Sequence, residues 1–297
     1  MVIGRHGVLL CGFVATALGL GYMAAGNAPL SYLLMNTAAF AIGLATVTVV
    51  SRQPVRVNAG AMCLGLAFVL LASLLLGTSA DGATRWLRLG NIIVQPSLIL
   101  VPVLTLAFAR ARDWVGAIGV SLTALVLALQ PDRATSGALA AGLLTLAVMR
   151  PDPRTLTAFS AGIAGFAAAM LRPDTQGAMP FVDRILMTSF DVHPAAGIAV
   201  ISGSLVLLIP AAIGVRTSPS AATSYAVFGA VWIALIAAAA LGNYPTPLVG
   251  YGGSAILGYL LCSVALRSGS ATLTATGEAT AAQGREGDRG GFSMKPV

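Results

Sequence analysis

Apolar runs long enough to cross a lipid bilayer recur along almost the whole chain. The hydrocarbon core of a bilayer is about 30 Å thick, so a helix of about 20 apolar residues spans it. Runs near this length occur at 7–25, 29–50, 59–76, 92–109, 114–130, 134–149, 155–171, 195–215, 222–242 and 248–266. Only 9% of the residues are charged, against about 25% in soluble domains. The pattern predicts an all-α integral membrane protein with about ten transmembrane helices across 1–267.

The two ends of the chain suggest its orientation. The first run, preceded by Arg5 and His6, resembles a signal peptide, but the many spans that follow favour an uncleaved first helix. With both termini in the cytoplasm, the predicted inside segments carry twelve of the 17 Lys and Arg residues, as the positive-inside rule requires. Residues 268–297 lack apolar periodicity and are predicted to form a disordered cytoplasmic tail.

Composition also excludes several classes of function. The net charge of +7 is scattered singly between apolar runs, which indicates membrane orientation and no nucleic-acid partner. The three cysteines lie far apart inside apolar runs, and there are only two histidines, so neither a disulfide framework nor a metal site is expected. No charged residue sits mid-span, which counts against a proton-coupled pump.

The segment 82–97, GATRWLRLGNIIVQPS, concentrates polar residues between two apolar runs. If it is helical, Arg85 and Arg88 share one face and Trp86 lies on another. That arrangement suits a short helix at the membrane surface, with its cations toward lipid phosphates. The alternative is an ordinary amphipathic loop between spans.

Two further clusters lie in connections that are predicted to face outside. In QPDRAT, residues 130–135, Asp132 could cap the following helix. In YPTPLVGYGGS, residues 244–254, the prolines and glycines permit non-helical backbone, which at membrane depth needs protein or a water-filled cavity around it. The adjacent glycines could also bring backbone N–H groups close to a phosphate.

The longest predicted outside connection, 172–194, contains Asp183 just before the apolar stretch 185–190. Partial desolvation at such a boundary raises a carboxyl pKa, which suits a general base. The alternative is a solvated aspartate paired with Arg184 or Arg172.

Taken together and in this order, the clusters resemble motifs of the SEDS family (shape, elongation, division and sporulation). The first family motif, G-x-x-RW…LG…QPSE, is matched at Gly82, Arg85, Trp86, Leu89, Gly90, Gln95, Pro96 and Ser97. The second, QPD-L-GT, is matched at Gln130, Pro131, Asp132 and Thr135. The third, P-L-P-F-x-S-YGGS, is matched at Pro247, Leu248, Val249, Tyr251, Gly252, Gly253 and Ser254. The resemblance covers about 80–266, and the first three spans fit by hydropathy alone.

The resemblance implies a bundle of ten spans in the bacterial cytoplasmic membrane that polymerises lipid II, the undecaprenyl-diphosphate-linked disaccharide peptide, into peptidoglycan glycan strands. It implies a class B penicillin-binding protein as partner, a role in cell division or cell shape, and no certain cofactor, although a divalent cation such as Mg is possible. The essential aspartate of the family, in a P-E-x-H-T-D-F-I-F context, aligns with Asp183. The implied substrate-binding residues are Arg85, Trp86, Arg88, Gln95, Ser97, Asp132, Tyr251, Gly252, Gly253 and Ser254.

This sequence departs from the family pattern at several positions. Leu98 replaces the glutamate after QPS, Val101 replaces a usual lysine, and Arg133 and Ala134 replace Leu-Gly. The loop around Asp183 is also shorter than in the family. Two hypotheses remain open: an inverting glycosyltransferase, or an impaired relative that binds, flips or scaffolds lipid II beside a penicillin-binding protein. A small-molecule transporter of unrelated fold ranks last.

Overall fold

The computed structural model describes residues 4–53, 58–80, 83–90, 92–172 and 176–266. The predicted tail at 268–297 lies outside the described residues, as do Gly82 and Asn91 of the first motif. The helices are α1 Arg5–Ala25, α2 Leu30–Arg52, α3 Ala59–Leu76, α4 Pro96–Ala111, α5 Trp114–Leu129, α6 Arg133–Met149, α7 Pro153–Met170, α8 Ile185–Val192, α9 Pro194–Val206, α10 Ile209–Thr217, α11 Ala222–Leu241 and α12 Gly253–Leu266. The strands are β1 Thr78–Ala80, β2 Ala83–Leu89 and β3 Ile92–Val94.

The protein is a multi-pass, predominantly helical membrane protein. Five helical segments are long and apolar enough to cross a membrane by length and composition: Arg5–Ala25, Leu30–Arg52, Ala59–Leu76, Pro194–Thr217 and Pro219–Leu241. The apolar helices α4, α5, α6 and α12 are shorter. Large apolar side chains cover the outside of the bundle, among them Leu10, Phe13, Leu75, Ile118, Val148 and Leu241. Such a surface is stable against lipid and would be a liability in water. The count of ten spans stays a prediction.

A cluster of buried aromatic side chains lies where α11 meets α12. The Trp232 and Tyr259 rings pack edge to face with centroids 5.0 Å apart, and Phe228 lies 5.5 Å from Tyr259. The Tyr259 hydroxyl donates to the carbonyl of Leu207, 3.0 Å away. This bond lies at the break between α9 and α10, just before Pro210, which has no N–H to continue the helix. The predicted continuous run 195–215 is therefore two helices joined at 207–208.

The segment that leads into α4 is a β-hairpin, so the surface-helix interpretation of 82–97 was wrong. Leu87, Arg88 and Leu89 pair with Val94, Ile93 and Ile92 in an antiparallel register. Gly90 turns the chain with φ of 63°, a left-handed conformation that glycine adopts without steric cost. Because strand residues alternate between faces, Arg85 and Arg88 lie on opposite faces.

Helices α3 and α5 approach closely through a glycine. A Cβ added at Gly119 would lie 2.7 Å from the carbonyl carbon of Cys63 and from the nitrogen of Leu64. These are backbone atoms of α3 and cannot move aside alone. Small residues of this kind let transmembrane helices pack at short distance.

We therefore predict that Gly119→Ala lowers the stability of the purified protein by about 1–3 kcal/mol, the usual cost of overpacking. Thermal unfolding in detergent measures the change. Gly65→Ala on α3, where an added Cβ meets nothing within 4 Å, is the matched control and should leave the midpoint unchanged or slightly raised. Equal melting of the two variants would contradict the close-packing account.

Candidate functional site

Asp132 is the polar centre of the bundle end that is predicted to face outside. It precedes α6, and its Oδ1 accepts the backbone N–H of Thr135 at 3.2 Å, so the predicted N-cap is confirmed. The side chain is fully buried. A buried carboxylate is stable only when its oxygens are well supplied with hydrogen-bond donors.

Those donors come from the first motif. The Ser97 hydroxyl donates to Asp132 Oδ2 at 2.7 Å, and Gln95 Nε2 donates to the same oxygen at 3.0 Å. The backbone N–H of Gln95 in turn donates to the Ser254 hydroxyl, 2.9 Å away. The three motifs, far apart in the sequence, therefore meet in one buried network.

Arg85 ties the hairpin to this network. It is only 4% exposed, and its Nη2 donates to the carbonyl of Pro131 at 2.6 Å. Its guanidinium carbon lies 5.9 Å from the ring centres of Trp86 and of Tyr244, within cation–π distance. Arg88 is exposed on the other face of β2. Of the two arginines predicted to bind phosphate, Arg85 is therefore buried and Arg88 is accessible.

Asp183 is buried, with 8% exposure, so the solvated-aspartate alternative for this residue does not hold. Its Oδ2 accepts the backbone N–H of Met179 at 2.9 Å. Its backbone forms an antiparallel bridge with Pro245, next to Tyr244, whose ring contacts Arg85. The segment 244–245 therefore contacts both the buried cation and the candidate base.

The third motif is held against the loop of Asp183. The N–H of Thr246 donates to the carbonyl of Val182 at 3.1 Å, and the N–H of Tyr251 donates to the carbonyl of Phe181 at 2.7 Å. Gly252 has φ of 153°, which L side chains rarely adopt. The predicted non-helical backbone at 244–252 is present, and α12 begins only at Gly253.

Helix α2 supports the same loop through residues that the motifs did not indicate. Asn36, fully buried, donates from Nδ2 to the carbonyl of Gly250 at 2.8 Å and accepts the N–H of Gly252 at Oδ1, 3.1 Å away. Tyr32, one turn earlier, stacks on Tyr251 with ring centres 3.8 Å apart. An asparagine inside an apolar run was the available signal, because a buried amide needs partners.

The predicted site residues thus fall into two groups. Gln95, Ser97, Asp132 and Ser254 are buried and bond to one another, whereas Arg88 is exposed and Trp86 and Tyr251 are half-buried. The described residues contain no group of three or more His, Cys, Asp or Glu side chains that could hold a metal ion. The divalent cation stays a prediction.

The chain matches a known family over much of its length. A family model named FtsW/RodA/SpoVE and described as "Cell cycle protein" matches residues 7–190. This range includes the first three helices, which the motifs did not cover, and ends before the third motif. Among curated protein sequences, none matches this chain significantly.

Solved structures share the fold at low sequence identity. The rod shape determining protein RodA of Thermus thermophilus is 20% identical, with a TM-score of 0.64 over 88% of this chain and 94% of that one. A point mutant of the same protein gives 19% identity and a TM-score of 0.63, covering 90% of this chain and 97% of that one. A third structure is that of a peptidoglycan synthase complex that coordinates polymerization and crosslinking. It gives 18% identity and a TM-score of 0.61, covering 91% of this chain and 98% of that one.

The network predicts that Asp132→Ala is costly for stability. The substitution leaves the buried Ser97 hydroxyl and Gln95 amide without their charged acceptor, at about 1.5–3 kcal/mol per bond. Thermal unfolding in detergent measures the loss.

Asp113→Ala is the matched control, since Asp113 caps α5 by accepting the N–H of Gly116 but is only half-buried. It should cost about 1 kcal/mol, as a lost cap does. A similar, small shift for both variants would show that Asp132 is an ordinary cap and not the centre of the site.

Proposed function

Because this chain belongs to the FtsW/RodA/SpoVE (SEDS) family of cell cycle proteins, we propose that it polymerises lipid II into peptidoglycan glycan strands. Membership confirms the family resemblance seen in the motifs. The observation that carries the proposal is the convergence of all three motifs on one end of the bundle, with Asp183 buried beside the third motif. The site would face the outer side of a bacterial cytoplasmic membrane.

In the proposed reaction Asp183 is the general base. It accepts the proton of the 4-hydroxyl of the incoming disaccharide, and that oxygen attacks the anomeric carbon of the donor. The bond from that carbon to the lipid diphosphate breaks with inversion, and the diphosphate leaves with the electron pair. The backbone N–H of Met179 donates to one oxygen of this carboxylate and so helps to orient it, and a general base must be held within hydrogen-bond reach of the proton that it takes up.

The leaving diphosphate gains negative charge, which nearby cations stabilise. Arg88 is exposed and can bond diphosphate oxygens in the bidentate manner of guanidinium groups. Arg85 contacts Pro131 and Tyr244 and adds positive charge on the buried face of the hairpin. Trp86 and the backbone around Tyr251, Gly252 and Gly253 would contact the sugar or diphosphate, and Gln95, Ser97, Asp132 and Ser254 would hold these groups in place.

One observation favours the second hypothesis, a protein that binds or scaffolds lipid II without polymerising it. Leu98, which is buried with 5% exposure, occupies the position where the family motif has a glutamate. This site therefore has one carboxylate fewer than the family motif. In that case the protein would bind lipid II and a class B penicillin-binding protein yet form no glycan. The polymerisation assay should therefore be run with and without such a partner.

We predict that Asp183→Ala and Asp183→Asn lower lipid II polymerisation by purified protein about 10²–10⁴-fold, the usual contribution of a general base. Asparagine retains an acceptor for the N–H of Met179 but cannot take up the proton, which separates structure from chemistry. Glycan strands formed from fluorescent lipid II provide the measurement.

Asp191→Ala is the control, because Asp191 lies in the same connection, near the end of α8, but is exposed. It should polymerise like the parent chain. Full activity in Asp183→Asn would refute the base assignment, and an inactive parent that still binds lipid II would favour the scaffold hypothesis.

A further inference from the structure

A cavity of about 490 Å³ opens beside the candidate site. Its walls are the start of α6, the ends of α7 and α11, the single residues Gln176 and Arg184, and the segment 242–244. All of these lie at the bundle end that is predicted to face outside. A volume of this size is typical of small-molecule sites, and none of the residues discussed as catalytic or diphosphate-binding lines it.

Two arginines supply the charge of the cavity. Arg133 and Arg184 both line it, and no carboxylate is among the described lining residues. Arg133 donates from Nε to the carbonyl of Ala169 at 3.4 Å and from Nη2 to the carbonyl of Arg172. A guanidinium has five N–H donors, so donors remain for a ligand.

Arg184 is exposed, and among the described residues no hydrogen bond or ion pair engages its guanidinium. Its backbone is left-handed, with φ of 57°, a conformation that costs a residue with a Cβ about 1 kcal/mol or more. Both arginines stand where the family motifs quoted above have apolar residues, Leu and Phe. The positive charge of the cavity is therefore a feature of this sequence that the family motifs do not share.

The remaining wall is largely apolar. Phe166 and Met170 come from α7, and Ala238 and Leu241 come from α11. Met170 is 49% exposed and Leu241 is 89% exposed, so the apolar wall continues onto the lipid-facing surface of the bundle. Cations beside an apolar wall that is open to lipid match an amphiphile with a phosphate head.

We propose that this cavity binds the phosphate group of a membrane amphiphile, with Arg133 and Arg184 on the phosphate and α7 and α11 against the hydrocarbon chain. The amphiphile that we propose is an anionic phospholipid, which can enter from the bilayer past the exposed Met170 and Leu241 side chains. The inference concerns binding alone and goes beyond the proposed polymerisation, since it holds whether or not the chain forms glycan.

Native mass spectrometry of the delipidated full-length protein tests the site with three probes: phosphatidylglycerol, farnesyl diphosphate and inorganic diphosphate. Phosphatidylglycerol should bind more tightly than inorganic diphosphate, which lacks a chain to bury. Arg184→Gln should weaken that binding about tenfold, the effect of losing about 1.4 kcal/mol of charge-assisted bonding. Arg133→Gln should act in the same direction, and Arg184→Gln remains informative if Arg133→Gln fails to fold.

Two controls complete the design. Arg216→Gln changes an exposed arginine at the end of α10 and should bind each probe like the parent. Met170→Gln should weaken lipid binding and leave inorganic diphosphate unaffected. Weaker phosphatidylglycerol binding in Arg184→Gln would support the inference, whereas an effect confined to farnesyl diphosphate would assign the cavity to the prenyl substrate and overturn it. Unchanged lipid binding in Arg184→Gln, or equal affinity for all three probes, would overturn it without bearing on Asp183.

Discussion

The geometry of the site depends on how Asp132 is buried. A carboxylate excluded from water needs hydrogen-bond donors, and here they come from Ser97 and Gln95, at the start of α4. Meeting that requirement fixes the start of α4 against the start of α6, and the bond from the Gln95 backbone to Ser254 fixes α12 against both. The network is buried and its members bond to one another, so it holds the exposed side chains of the site in position.

Much of the helical architecture follows from the sequence because the bilayer imposes a simple rule. Each backbone polar group must be bonded within its own helix, so apolar runs such as 59–76 and 114–130 predict α3 and α5 almost to the residue. Asp132 was predictable for a similar reason, since an aspartate just before an apolar run supplies the acceptor that a helix start lacks. The three motifs indicated the family, but they did not predict the hydrogen bonds that join their residues.

Other features depend on contacts that a linear pattern does not carry. The hairpin at 83–94 was missed because a short stretch with both arginines and tryptophan fits a helical or an extended period, and the turn at Gly90 decides between them. The clamp of Asn36 on Gly250 and Gly252 joins positions more than two hundred residues apart. The convergence of Arg133 and Arg184 on one cavity likewise required the packing of α6, α7 and α11.

A structure of the purified protein with bound lipid II, solved by electron cryomicroscopy, tests the central claim most directly. The account predicts the 4-hydroxyl of the acceptor sugar within about 3 Å of an Asp183 carboxylate oxygen, as a general base requires, and a diphosphate against Arg88. Lipid II bound at another face of the bundle, with Asp183 still covered by the third motif and out of reach of any sugar hydroxyl, would contradict it.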